Sequence, residues 1–213
     1  MHFAVSSYIP FPCISWWAAA SACDTLLFDN AEHFEKMTCR NRYYLAGANG
    51  LLTLSIPLRH GRDQRAAMHA VQVDNQTAWQ IQQWRTIVSA YKRSAYFDYY
   101  EPSLGQIFTQ RYDRLADVNL ASMLWLKAQL KLNFNVTFTD EYLPEHPGAA
   151  YDLRKKLKRN ETAVAPFPSY YQLFSDRTGF LPDLSILDLL FSEGPHTMNW
   201  IEKNRTELLK HWQ

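Results

Sequence analysis

The first thirty residues set short apolar runs between breaks, in the order strand, turn, helix, strand. "FAVSSYI", Phe3 to Ile9, suits a strand, and Pro10 and Pro12 stop it because proline cannot donate to a sheet ladder. Proline is tolerated at the first helical position, so Pro12 can open a helix over "CISWWAAASAC". "DTLLFD", Asp24 to Asp29, is an apolar run between turn residues and reads as a buried strand. This succession opens a β-α-β unit. Open sheets of that kind bind ligands outside the carboxyl ends of their strands, which puts the Pro10–Pro12 turn at the expected place.

Further along, "RYYLAG" and "LLTLSIPL" flank Ala48-Asn49-Gly50, and Asn-Gly is a strong hairpin signal because both residues tolerate positive φ. "MHAVQVDN", Met68 to Asn75, alternates well enough for another strand. From Thr77 the period becomes helical: Thr77 and Gln80 fit a capping box, and Trp84, Ile87, Val88 and Tyr91 mark one face. A second helix is expected from about Arg111 to Lys131, then a strand at "NVTFTD". "LSILDLLFSEGP" reads as a short helix ended by Gly194-Pro195, and an amphipathic helix follows from Thr197.

The fold class expected is α/β: a β-α-β (Rossmann-like) N-terminal half with a hairpin, and a helical C-terminal half. One domain is expected over 1–213. Strands plus one helix fill 1–75, helices fill most of 77–143, 144–168 is a connector, and 169–213 is a helical closing segment.

Composition sharpens this. Apolar residues make up 47% and aromatics 15% of the 213 residues, which specifies a folded chain with a substantial core. The net charge of +1 supplies no field to recruit nucleic acid or an anionic membrane. No apolar run reaches membrane-spanning length. Three cysteines without a Cys-x-x-Cys pair give no disulfide framework, and "MHFAVSSYIPFPCISWW" lacks the layout of a signal peptide; the expected location is cytoplasmic. The basic run "DLRKKLKRN" reads as a solvated part of the connector.

Candidate chemistry concentrates in "HFEKMTCRNRYYLAGANG". Lys36, Arg40 and Arg42 follow the second strand, where guanidinium forks and an ammonium can hold an anion, and His33 beside them can serve as general base. An exposed loop of solvated charges reads the same spacing equally well. Cys39 has cationic neighbours that favour a thiolate, but no Cys-His context, and is read as structural. In "WRTIVSAYKRSAYFDYY" the apolar face is core, while Arg85 and Ser94 can add donors to a cleft. The histidines are scattered, no paired-cysteine metal spacing occurs, and the strong phosphate-loop signatures are absent, so no metal is expected and the cofactor is undetermined.

Taken together, "YIPFPCISWWA", "HFEKMTCRNRYYLAGANGLLTLSIPL", "WRTIVSAYKRSAYFDYY" and "LSILDLLFSEGP" resemble the WbqC-like protein family in order and spacing, from about Tyr8 to about Pro195. The resemblance implies a bacterial protein connected with cell-surface polysaccharide of the O-antigen type, and a transferase moving an acyl or aminoacyl group to an amino sugar. It carries over His33 in the catalytic position and Lys36, Arg40, Asn41, Arg42, Asn49, Gly50, Trp84, Arg85, Tyr91 and Ser94 around the substrate. Cys13 and Ser15 depart from the residues relatives often carry after the first prolines. The implied partner is a small anionic ligand, a nucleotide sugar or an acyl donor; oligomeric state is left open. Two other readings stand beside it. One is a non-catalytic scaffold that binds a glycan or a protein. The other is a nucleotide-binding protein whose opening is similar in layout to HIGH-type nucleotidyltransferases, although both histidines of that signature are missing.

Overall fold

The computed structural model describes residues 2–59, 66–155, 157–158 and 166–212. Among them four strands form a parallel sheet in the order β5-β2-β1-β6: β1 is Phe3–Ser6, β2 Thr25–Phe28, β5 Asn135–Phe138 and β6 Tyr151–Asp152. Helix α1, Ile14–Ala20, makes the crossover from β1 to β2, with Phe3 opposite Thr25 and Ser6 opposite Phe28. The opening is therefore the β-α-β unit that the apolar runs specify, and the class is mixed α/β. Helix α1 is buried along its whole length, and Trp16 and Trp17 are both fully buried. The indole of Trp16 donates to Ser6 Oγ at the end of β1, so burying the ring leaves no orphaned N–H there.

The hairpin is β3, Arg42–Gly47, with β4, Gly50–Ser55, paired from Arg42–Ser55 down to Gly47–Gly50. It forms a separate two-stranded sheet. The left-handed conformation falls on Gly50, at φ +108°, rather than on Asn49, so the two-residue turn is Ala48-Asn49.

The helical half contains α2 (Trp79–Tyr91), α3 (Phe97–Thr109), α4 (Leu115–Gln129), a single turn α5 (Ser175–Thr178), α6 (Ile186–Glu193) and α7 (Thr197–Leu209). Helix α6 ends at Gly194, φ +55°, where an added Cβ would lie 2.5 Å from the Tyr96 ring, so a side chain is excluded twice over.

Four local expectations differ from the structure. Met68–Ala70 is a 3-10 turn followed by isolated bridges at Gln72 and Val73, not a continuous strand. Helix α2 starts one turn residue later than Thr77 implies, with Ala78 at its cap and no side-chain cap. Helix α3 has no counterpart in the expected pattern: Pro102 and Gly105 lie inside it, and its face is set by Trp84, 3.3 Å from where a Gly105 Cβ would be. The stretch 144–168, expected as a connector, supplies β6, the strand that completes the sheet beside β1.

Candidate functional site

All four strands of the sheet are parallel, so their carboxyl ends open on one edge, and the order reverses at β1: the chain moves from β1 to β2 on one side and later to β6 on the other. Such a reversal is where open α/β sheets form their crevice. Immediately past the strand ends stand Ser7 and Tyr8 after β1, Asp29 and Asn30 after β2, Thr139 after β5 and Arg154 after β6. The ladder bonds Asp29 N–H to Ser6 O, 2.9 Å, and Leu153 N–H to Val5 O, 2.7 Å, hold these residues side by side.

The floor of the edge is ionic and internally satisfied. Asp29, fully buried, accepts from Arg154 Nη1 at 2.6 Å through Oδ2, and from the Ala31 and Glu32 amides and the Thr139 hydroxyl through Oδ1. Arg154 also forks onto Asp152 at 2.9 and 2.7 Å and donates to the carbonyls of Leu143 and Pro144, which fastens the segment before β6 to the edge. Burial would push the Asp152 carboxyl up, but the hydrogen bonds and charge of Arg154 hold it below the usual carboxylate range. Asp152 in turn holds the Arg154 guanidinium above its ordinary value, against burial and with help from Asp29. Glu32, 4% exposed, takes the Ser7 hydroxyl and a two-point contact from Arg40, 5% exposed, at 2.9 and 3.3 Å. His146 stands in the field of Arg154, Asp29 and Asp152; burial first, then Arg154, lowers its basicity, and its Nε2 is buried with no partner among the described residues.

Above that floor lies a hub on Asn30. Its N–H donates to Thr139 Oγ1 at 3.2 Å, its side-chain Oδ1 accepts from the Tyr8 hydroxyl, and its carbonyl lies 2.7 Å from Nδ1 of His69. Burial, then the charges of Asp117 and Asp29, raise the Tyr8 hydroxyl far above its normal pKa, so it stays a donor. A carbonyl can only accept, so Nδ1 of His69 carries the hydrogen, and in the neutral ring the lone pair is left on Nε2. His69 is exposed. Tyr8 stacks on Phe28 at 4.8 Å, and Phe138, 46% exposed, continues the stack at the rim.

The residues expected from sequence are distributed as follows. His33 is exposed and pairs with Ala67 in an isolated bridge, two residues from His69. Arg40 turns inward to Glu32, Lys36 is exposed, and Arg42 lays Nη2 3.7 Å from Met37 Sδ while its Nε is buried without a partner among the described residues. No hydrogen bond among the described residues joins His33, Arg40 and Arg42 to one another. Asn41 donates to Ile56 O at the base of the hairpin, 3.0 Å, while Asn49 lies in the turn at its other end and Gly50 is the first residue of β4. Trp84 packs on Phe97 and Phe108 between α2 and α3, Arg85 is exposed, and Ser94 caps back onto Tyr91 O. Tyr91 is interior: its hydroxyl takes the Ala46 N–H and donates to Asp188 Oδ1, while Tyr170 donates to Oδ2. Burial raises the carboxyl of Asp188 despite these donors.

The Pro10–Pro12 turn is buried; Phe11, at φ +43°, stacks on Phe108 and sends its N–H to Ser122. Ser15 is committed to Asp183 through both its amide and its hydroxyl. In the basic run, Arg154 is one of the most buried cations and Lys158 pairs with Glu35, whereas Lys156 and Arg159 lie outside the described residues. Sequence reading passed over Asn30, His69 and Arg154. The signal for Asn30 was its place one residue past the turn out of "DTLLF"; His69 carried none.

Among the described residues no group of three or more His, Cys, Asp or Glu side chains is placed to hold a metal ion, and no helix is long and apolar enough to cross a membrane. Comparison with known families matches residues 6–164 to the sequence model of the WbqC-like protein family. No curated protein and no solved structure matches the chain.

Proposed function

We propose that the chain, which belongs to the WbqC-like protein family, is a transferase of cell-surface polysaccharide biosynthesis that moves an acyl group to the amine of an amino sugar at the carboxyl edge of its sheet. The observation that carries this reading is the 2.7 Å contact of His69 Nδ1 with the Asn30 carbonyl. It orients an exposed imidazole with Nε2 free to accept a proton, beside a hub that offers the Asn30 amide and the Tyr8–Phe138 stack to a polar ring. In the step proposed, the acceptor nitrogen attacks the carbonyl carbon of a thioester donor, Nε2 of His69 takes the proton from that nitrogen, and the thiol leaves with a proton from solvent. His33, on the neighbouring paired segment, is the second candidate for that proton. Arg154 and Arg40 serve the site by fixing its floor, since both already face buried carboxylates.

The test is release of free thiol from acetyl-CoA in the presence of amino-sugar nucleotides, compared between wild type, His69→Gln and His33→Gln. The reading expects thiol release that falls about 100-fold or more in His69→Gln, the scale of one general base. Undiminished release in His69→Gln, or none from folded wild type with any acceptor, removes it.

A further inference from the structure

The outer strands of the parallel sheet end it differently. On one side stands β6, two residues long, and on the other β5, four residues long. The register of β5 on β2 decides which of its backbone groups are left over. Asn135 N–H donates to Asp24 O at 2.8 Å, and Thr139 N–H donates to Phe28 O at 2.9 Å. Successive residues of a strand turn their peptide groups to opposite sides. Asn135, Thr137 and Thr139 therefore serve β2, while Val136 and Phe138 direct N–H and C=O outward. No hydrogen bond among the described residues joins these outward groups to another segment. Such an edge is a template for a further strand, and lysine, proline or a bulge is the usual means of blunting it. "NVTF" carries no charge and no proline, and Val, Thr and Phe all favour strands.

The segment fits a second copy of itself. An antiparallel pair about a two-fold axis at Thr137 sets Val136 opposite Phe138 of the second copy, where the two residues exchange both bonds. Val136 and Phe138 share a face, so the pairing makes an aliphatic–aromatic contact on each side of the axis and covers Phe138, now 46% exposed. The flanking charges agree with this direction. Lys131 precedes β5, and Asp140 and Glu141 follow it; all three are exposed and none forms an ion pair among the described residues. Lys127, over the Phe134 ring at 5.1 Å, adds a second cation to the leading flank. Antiparallel pairing carries the basic flank of each copy to the acidic flank of the other. Asn133 falls opposite Glu141, and Lys131 reaches that carboxylate on the diagonal. A parallel pair would set Lys131 beside Lys131 and Glu141 beside Glu141, which repel.

We infer that β5 is the contact edge of a homodimer, in which two copies pair antiparallel through Val136 and Phe138 and join their sheets across the two-fold axis. The same edge is used by both copies, so the assembly closes at two. The inference does not rest on the transferase reading.

The experiment is sedimentation velocity over a wide concentration range on wild type, Val136→Pro, Lys131→Glu and Lys131→Glu/Glu141→Lys. Proline at 136 removes an outward N–H and leaves the bonds to β2 in place. Wild type should show a reversible monomer–dimer equilibrium. Val136→Pro and Lys131→Glu should each raise its dissociation constant about tenfold or more, and the charge swap should return it toward wild type. Should Val136→Pro fail to fold by circular dichroism, Phe138→Lys takes its place. Wild type that stays monomeric at every concentration or assembles past two copies, or a dimer that the strand and charge variants leave unchanged, overturns the interface.

Discussion

Two sets of arginines divide the molecule. Arg40 and Arg154 are buried, meet Glu32 and Asp152 with two-point geometry and, for Arg154, Asp29 through one more bond, so nearly every donor is spent inside the protein. Arg111 and Arg114 are exposed, and the carboxylate that meets Arg111 at 3.2 Å, Asp113, is itself 75% exposed. The same side chain is a fastener where the carboxylate facing it is buried and a solvated charge where it is exposed, because exposed pairs contribute little while a buried pair cannot lose one partner without leaving a buried charge.

The sharpest break of this contrast is Arg154→Met, which leaves Asp29 charged, fully buried and without its cation. Removing one partner of a buried pair costs about 3–5 kcal/mol, so urea unfolding should show a loss of stability of that size, with a lower midpoint and Tm lower by roughly 10 °C. Arg40→Met should cost about 3 kcal/mol on the same grounds, and Glu32→Gln in that background should recover part of the loss.

A third prediction sets two carboxylates against each other. Asp188 has its folded pKa raised, first by burial, so between the ordinary carboxylate value and the raised one the native state keeps a proton the unfolded chain has lost. Its contribution therefore makes stability fall as pH rises through that window. Asp152 is lowered, so its contribution is present above the unfolded value and fades as pH falls toward the folded one. Stability measured across the acid range should lose the first slope in Asp188→Asn and the second in Asp152→Asn. Smallest of all, Arg114→Gln and Arg59→Gln should move stability by no more than about 0.5 kcal/mol, because their side chains are exposed.

The parts of the fold that could be read from sequence are those fixed by local physics. Apolar runs bounded by turn residues specified β1, β2 and β5, and Gly194 the end of α6, whereas α1 begins at Ile14 behind a Cys13 cap rather than at Pro12. Helix α3 escaped because Pro102, Gly105 and four aromatics make a poor local helix; packing on Trp84 and Phe191 sustains it. Strand β6 escaped because two residues carry no period, and only the pairing of Ala4 with Tyr151 and Val5 with Asp152 defines it. The site was less legible for a related reason. Of the basic residues after β2, Arg40 is taken up by Glu32 eight residues before it, and in the later basic run Arg154 is taken up by Asp29, 125 residues away; only the fold shows which charges are spent in this way. His69 gains its orientation from a carbonyl 39 residues away, which leaves no mark on its own neighbourhood in sequence.

The most direct measurement is a two-bond proton–nitrogen correlation spectrum of the histidine rings in uniformly labelled protein, recorded alone and with an amino-sugar nucleotide added. The account predicts that neutral His69 carries its hydrogen on Nδ1, and that Nε2 is the ring atom whose shift responds to the acceptor. A hydrogen on Nε2, or a His69 ring that stays unmoved while the acceptor binds, would contradict it.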